Sequence, residues 1–205
     1  MSQITDGVRS ILSSPRVYSL FQDLMGARSG WRRIVHLHLR PRPGDTLLDV
    51  GCGPGDVLDY LPKVRYWGYD ISPSYIARAQ ARGDPRATFQ CRLLDAAELA
   101  GLPPFDLVLA SGLLHHLEDG EASALMRLAR DALKPGGRLV TVDPCLVDGQ
   151  NPIARFLIER DRGRNVRDEP GYRTLALAVF SDVRSTVRHK AWIPYTHCYM
   201  ECTRT

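Results

Sequence analysis

Residues 46–58 decide the fold of this chain: Thr46-Leu47-Leu48-Asp49-Val50-Gly51-Cys52-Gly53-Pro54-Gly55-Asp56-Val57-Leu58. The apolar run at the start is too short for a helix and is typical of a strand covered on both faces. Three glycines follow as G-x-G-x-G, and glycine both permits a positive φ and lets a ligand approach the backbone. A helix after such a turn directs its amide groups and positive dipole end at whatever lies over the turn. The stretch therefore predicts a strand, a turn and a helix that bind a nucleotide-like ligand.

A second predicted strand, Arg65–Asp70, ends in an acid about 20 residues after the start of the turn. A fold that binds a ribose places a carboxylate there, where it accepts hydrogen bonds from two hydroxyls. The glycine spacing differs from the G-x-G-x-x-G of dinucleotide enzymes. With Asp49 included, D-V-G-C-G-P-G at residues 49–55 resembles the first motif of the class I S-adenosylmethionine-dependent methyltransferases.

Later landmarks resemble the same family in the same order. Asp95-Ala96 follows a third predicted strand, residues 105–110 resemble the fourth strand with its loop at 111–117, and residues 133–143 resemble the helix, glycine turn and fifth strand. The resemblance extends over residues 30–145 and more weakly over the rest. It implies a Rossmann-like, doubly wound α/β fold with a seven-stranded sheet, mostly parallel with an antiparallel C-terminal strand, and helices on both faces.

The chain is predicted to form a single methyltransferase domain over residues 1–205. We expect an N-terminal helical cap at 1–40, a cofactor-binding core at 41–145, and an acceptor-side segment with the final strands at 146–205. Apolar residues recur at helical spacing between residues 15 and 25, and a second helix is predicted over Ser29–Leu39. Alternating strands and helices then favour right-handed parallel crossovers and an open sheet.

Composition bounds the function only broadly. The chain has 205 residues, 44% of them hydrophobic, 24% of them charged, and a net charge of +4, which does not require a nucleic-acid partner. Its five cysteines are scattered, without a C-x-x-C motif or zinc spacing, which favours reduced thiols, a cytoplasmic location and no metal. We find no signal-peptide or membrane-spanning pattern. We expect no membrane partner, and either a monomer or a homodimer.

The resemblance implies S-adenosylmethionine as cofactor, with S-adenosylhomocysteine as product. Asp49 would orient the glycine loop and meet the cofactor's ammonium group, Asp70 would accept from the ribose hydroxyls, Asp95 would meet the adenine amino group, and Ser111 would offer its carbonyl to the methionine part. The alternative for Asp70 and Asp95 is a helix cap or a solvated turn acid. The candidate cofactor-binding residues are Asp49, Gly51, Cys52, Gly53, Gly55, Asp70, Ile71, Asp95, Ala96 and Ser111.

The catalytic residues are harder to identify from the sequence than the cofactor-binding residues. Methyl transfer from a sulfonium is an in-line displacement, so the protein mainly positions the acceptor and, for an oxygen or nitrogen acceptor, takes up a proton. The candidate catalytic residues are His115 and His116, which follow the fourth strand, and Asp143, which ends the fifth. Packing of the histidines and a loop cap at Asp143 are the alternatives.

A cluster of arginines suggests how an anionic acceptor is bound, because guanidinium groups recognise carboxylate and phosphate well. The cluster comprises Arg155, Arg160, Arg162, Arg164 and Arg167. The candidate acceptor-binding residues are Tyr18, Arg155, Arg162, Arg164 and His197. The alternatives are core packing for Tyr18 and a solvated face with local salt bridges for the arginines.

The sequence therefore predicts methyl transfer from S-adenosylmethionine to a small molecule without a metal, with an anionic acceptor as one option left open. An RNA or other nucleic-acid methyltransferase is the runner-up, although the loop at 110–113 lacks the Asn/Asp-Pro-Pro-aromatic pattern of enzymes that methylate DNA bases. A binding module that keeps the cofactor without turnover, and an NAD-dependent oxidoreductase, are the other classes left open.

Overall fold

A mixed, mostly parallel sheet forms the centre of the computed structural model, which describes residues 27–160, 164–190 and 195–205. The strands are β1 (Thr46–Val50), β2 (Arg65–Asp70), β3 (Ala87–Cys91), β4 (Phe105–Ser111), β5 (Leu133–Leu146), β6 (Arg167–Asp168), β7 (Asp182–Lys190) and β8 (Tyr195–Thr203). Within these ranges the main sheet has the order β3-β2-β1-β4-β5-β8-β7, and the two-residue β6 pairs with β5. Because β8 is antiparallel to both β5 and β7, it alone among the described strands of that path runs against the others.

The helices cover both faces of the sheet. They are α1 (Ala27–Arg33), which continues as a π-helix (Ile34–Leu39), α2 (Pro73–Gln80), α3 (Ala96–Ala100), α4 (Asp119–Ala132), α5 (Pro152–Glu159) and α6 (Glu169–Leu177). Met126 of α4 and Tyr172 of α6 belong to one buried cluster. Ile34 of the π-helix and Ile76 of α2 belong to the other. The predicted fold class, with helices on both faces of a sheet of seven main strands, is confirmed.

The strand order places the candidate site at a topological switch point. The chain proceeds from β1 outward through β2 to β3, and then returns to the other side of β1 as β4. In open α/β sheets ligands bind beside the carboxyl ends of strands at such a point. The glycine turn after β1 and the acid that ends β2 therefore lie at the same edge of the sheet.

The α-helix predicted after the glycine turn is not formed, and a 3₁₀-helix takes its place. Residues Asp56–Tyr60 form a short 3₁₀-helix, and Leu61 is already extended, with φ −86° and ψ 142°. Pro62 disfavours the α conformation for Leu61, so the segment is too short for an α-helix. The turn therefore lacks the dipole of a full helix, and its ligand-binding capacity rests on its own backbone.

Three further boundaries differ from expectation. The predicted loop at 144–152 is shorter, because β5 continues to Leu146 and pairs there with β6. Residues 133–137, expected as helix and turn, belong to β5. The helix expected over Tyr172–Phe180 begins earlier, at Glu169, where the Asp168 side chain accepts from the backbone of Gly171.

The remaining terminal elements follow the prediction where they are described. The helix expected at 29–39 is present, although its second half is π-helical and ends at Arg40, which has a positive φ of 47°. The last strands match β7 and β8 up to Lys190 and from Tyr195 onward. The helix expected at 15–25, with Tyr18, lies outside the described residues, as does Arg162. The three-part division of the domain stays a prediction.

Candidate active site

The backbone of the glycine turn is exposed to ligands at one point. Gly51, Gly53 and Gly55 all have positive φ, at 75°, 53° and 72°. A Cβ placed on Gly51 would lie 3.3 Å from Leu113, and one on Gly55 would lie 2.9 Å from Phe89. A Cβ on Gly53 would meet nothing within 4 Å, so the backbone there faces open space. The first and third glycines serve packing, and the middle one leaves room for a ligand.

Asp70 holds this turn in place. Its Oδ2 accepts from the backbone N–H of Gly53 at 2.9 Å, and its Oδ1 accepts from the backbone N–H of Ser72 at 2.8 Å. The backbone N–H groups of Gly51 and Cys52 also donate to the Tyr69 carbonyl. Each carboxylate oxygen can accept more than one hydrogen bond, so Asp70 can still accept from ligand hydroxyls.

Asp49 lies beneath the turn and is 2% exposed. Its Oδ2 accepts from the Tyr66 hydroxyl at 2.6 Å. Burial raises the pKa of Asp49 to about 7, the Tyr66 hydrogen bond opposes this, and the charge of Asp70 adds to it. The Asp70 carboxylate bonds the glycine loop directly, and orientation of the loop by Asp49 stays a prediction. A contact of Asp49 with the cofactor's ammonium group stays a prediction.

Cys52 is buried within the same turn. Burial, together with the charges of Asp49 and Asp70, raises the pKa of its thiol far above the ordinary value. The thiol therefore stays protonated and donates to the Gly53 carbonyl at 3.5 Å. Cys52 packs within the turn, and its part in cofactor binding stays a prediction.

The edge of the sheet beyond β2 and β3 presents apolar and acidic side chains. Ile71 is 52% exposed and Leu93 is 67% exposed. Asp95 caps α3, because its Oδ1 accepts from the Glu98 backbone N–H at 2.8 Å. The capping alternative for Asp95 is therefore realised. Contact of Asp95 and Ala96 with adenine stays a prediction, which rests on the second carboxylate oxygen and the exposed position of both residues.

His115 and Asp143 come together although 28 positions separate them in the chain. Ser111 ends β4 opposite Val142 of β5, so the loop after β4 reaches the end of β5. The His115 Nδ1 lies 2.8 Å from Asp143 Oδ1, and the His115 backbone N–H donates to the same oxygen at 3.2 Å. The pair is almost entirely buried, at 5% and 1% exposure.

This pair has the form of a base and its orienting acid. A carboxylate bonded to Nδ1 orients the imidazole and leaves Nε2 as the ring nitrogen available to other groups. The second carboxylate oxygen of Asp143 is buried without a hydrogen-bond partner in the described residues. The His116 ring lies 4.0 Å from the His115 ring, centroid to centroid.

Comparison with known proteins matches this architecture. A family model described as a methyltransferase domain matches residues 48–139. An O-methyltransferase of Penicillium expansum is 30% identical over 176 residues, which are 76% of this chain and 61% of that protein. A tRNA U34 carboxymethyltransferase of Shewanella putrefaciens is 33% identical over 143 residues, 66% of this chain and 41% of that protein. The chain spans less than two thirds of both relatives.

A solved structure agrees in fold. The phosphoethanolamine N-methyltransferase 2 of Haemonchus contortus, in complex with S-adenosyl-L-methionine, matches 85% of this chain and 52% of its own with a TM-score of 0.68 at 16% identity. The strand order, the glycine motif and the sequence matches all point to the same family of domains. The family model, the sequence relatives and the fold together support assignment of the chain to the class I S-adenosylmethionine-dependent methyltransferases.

The segment after β5 makes a set of contacts with the His115 loop that the sequence did not reveal. The Arg167 guanidinium donates to the carbonyls of Leu114 and Leu117 and to the Asp119 carboxylate. The backbone N–H of Asn165 donates to the His115 carbonyl at 3.0 Å. Arg167 therefore fixes the His115 loop and is not available to an acceptor. The only signal in the sequence was its place in the arginine cluster.

Other arginines of that cluster have local partners. Arg155 Nε lies 2.8 Å from Glu159 on the same helix, and the Arg160 guanidinium lies 4.0 Å above the Phe156 ring. Arg164 is exposed. The salt-bridge alternative is thus realised for Arg155, and acceptor binding by Arg155 and Arg164 stays a prediction. His197 lies on β8 opposite Pro144, the residue after Asp143, so it is at the expected edge.

Among residues 27–160, 164–190 and 195–205, no three or more His, Cys, Asp or Glu side chains form a group that could hold a metal ion. None of the helices described here has the length and apolar character needed to cross a membrane.

Proposed function

We propose that the chain transfers a methyl group from S-adenosylmethionine to a small-molecule acceptor. The observation that carries this proposal is the open backbone at Gly53, which Asp70 holds in place at the switch point of the sheet. Family membership supports the same cofactor. The relative named as an O-methyltransferase and the phosphoethanolamine N-methyltransferase structure support a small acceptor methylated on oxygen or nitrogen.

The residues present fit this cofactor. The turn at residues 51–55 provides backbone that can be approached closely, and Asp70 retains acceptor capacity for the two ribose hydroxyls. The half-exposed Ile71 provides an apolar surface for the adenine ring. Asp95 and Ala96 lie beyond it, and Ser111 ends β4 beside the turn.

We assign the proton transfer to the His115–Asp143 pair. When bound, S-adenosylmethionine supplies a methyl group that is already activated by its sulfonium. The protein's tasks are to align the acceptor atom and to receive the proton that an oxygen or nitrogen acceptor releases. Asp143 orients His115 and stabilises the imidazolium that forms, while Arg167 fixes the loop that presents it. His116 packs against this imidazole.

Replacement of Asp70 tests the cofactor site. Asp70→Ala should weaken S-adenosylmethionine binding roughly 30-fold or more, because hydrogen bonds to a charged acceptor are lost, worth about 2 kcal/mol together. Asp45→Ala is the control, since Asp45 bonds the Arg42 backbone in the turn before β1, at the opposite edge. Calorimetry measures both affinities. Equal binding by the two variants would remove Asp70 from the site.

The nucleic-acid alternative has its own test. A relative named as a tRNA carboxymethyltransferase keeps this acceptor class open. If phosphate contacts bind RNA, affinity must fall steeply with salt concentration. We expect no such slope when binding of a mixed tRNA pool is measured across a salt series. A steep slope would favour the RNA acceptor instead.

A further inference from the structure

One face of the β7–β8 pair carries a group of basic and aromatic side chains. His197 and Tyr199 are two positions apart on β8 and project to the same face. Their direct partners on β7 are Arg188 and Thr186, and directly opposed residues of an antiparallel pair share a face. Arg188 therefore lies beside His197 and Tyr199 and is exposed, whereas Tyr199 on the same face packs with Ile34 and Val35 of the π-helix.

His38 closes this group from the π-helix. Its ring stacks on Tyr199, with centroids 4.7 Å apart and planes at 15°. Its Nδ1 lies 2.9 Å from Glu201, whereas its Nε2 is buried without a hydrogen-bond partner in the described part of the chain. Buried polar side-chain atoms are usually paired, so this nitrogen is an unsatisfied hydrogen-bonding position beside Tyr199.

The charge around Tyr199 is positive. The guanidinium groups of Arg33 and Arg188 both lower the pKa of Tyr199, against the burial that raises it. No ion pair of either arginine occurs within residues 27–160, 164–190 and 195–205. The carboxylate on this face, Glu201, is already bound by Arg40 at 2.5 Å and by His38.

We propose that Arg33 and Arg188, beside Tyr199 and the His38 imidazole, bind a carboxylate or phosphate group of the methyl acceptor. This deepens the proposed function and rests on it, since it names the acceptor as an organic anion. It also moves the anion site from the arginine cluster around α5, where Arg155 and Arg167 have other partners, to the β7–β8 face.

The position suits a small acceptor. Arg188 pairs with His197, and His197 pairs with Pro144, the residue that follows Asp143. Two strand spacings, about 10 Å, therefore separate the anion site from the end of β5. Because the Asp143 side chain belongs to the other face of β5, the acceptor would reach over the carboxyl edge of the sheet.

Binding of simple anions tests the inference. The probes are benzoate, phenyl phosphate and the neutral benzamide, titrated by ligand-observed NMR in the presence of saturating S-adenosylhomocysteine. We expect both anions to bind, the benzamide not to bind, and the Arg33→Gln/Arg188→Gln double variant to lose at least fivefold in anion affinity. Whichever anion binds more tightly distinguishes carboxylate from phosphate acceptors.

Arg184→Gln is the matched control. Arg184 lies on the same face of β7, is well exposed and already faces Asp182, so its replacement should leave anion binding unchanged. Equal binding of benzamide and benzoate, or unchanged anion binding by the double variant, would overturn the inference. Titration of S-adenosylhomocysteine alone separates the two proposals: if the unmodified chain does not bind it, the proposed function fails, whereas normal binding without anion binding refutes only the anion site.

Discussion

Gly53→Ala separates ligand binding from folding. The added methyl group meets nothing within 4 Å, so it fits the folded protein and occupies the space above the turn. The cost to folding comes from the backbone, since φ at residue 53 is 53° and an L-residue there costs about 1–2 kcal/mol. In a chain of this size, that cost lowers the melting temperature by about 2–8 °C.

Gly83→Ala is the matched control. Gly83 has φ 61°, a Cβ there would also meet nothing within 4 Å, and it lies between α2 and β3, at the other edge of the sheet. Both variants should therefore lose similar stability in thermal unfolding. Only Gly53→Ala should lose S-adenosylmethionine affinity in calorimetry, by at least tenfold, or about 1.4 kcal/mol, because its methyl group prevents close approach to the backbone. Similar affinity losses in both variants, or no loss in either, would refute the assignment of the open turn.

Two further predictions concern the surroundings of the turn and of the His115 loop. Burial raises the pKa of Asp49 from 3.8 to about 7, so between these pH values the folded protein retains a proton that the unfolded chain releases. The contribution of this carboxyl to the free energy of unfolding therefore falls as the pH rises through that range, by at most about 1.4 kcal/mol per pH unit. Asp49→Asn should flatten that slope in urea unfolding at pH 5 and pH 7.5, and an unchanged slope would contradict the assignment. Arg167→Ala should cost about 2 kcal/mol and speed hydrogen exchange of the amides around His115, because bonds to two loop carbonyls are lost. Arg155→Ala, which breaks an exposed pair within one helix, should cost about 0.5 kcal/mol or less and leave hydrogen exchange around His115 unchanged; equal effects of the two variants would show that Arg167 does not hold the loop.

The fold and the positions of the glycine turn and Asp70 could be predicted from the sequence because the patterns that indicate them are local. The glycine turn and Asp70 follow buried strands directly, so an apolar run and the next few residues suffice to place them at one edge of the sheet. Ser72 likewise caps α2 as its position before Pro73 predicts. Local steric rules would also have shortened the helix after the turn, since Pro62 already limits Leu61.

The proposed acceptor side depends on contacts between residues far apart in the sequence, which no local pattern contains. His115 meets Asp143 only because β4 and β5 are adjacent and in register, and Arg167 reaches the loop only through the short β6. Arg188 meets His197 through the antiparallel register of the last two strands. An arginine cluster in the sequence does not show which of its members already have partners in the fold.

A calorimetric titration of the unmodified chain with S-adenosylmethionine, and with NAD in parallel, tests the central claim most directly. We predict saturable one-to-one binding of S-adenosylmethionine and none of NAD. Binding of NAD without binding of S-adenosylmethionine would contradict the assignment of the turn at residues 51–55 and of Asp70.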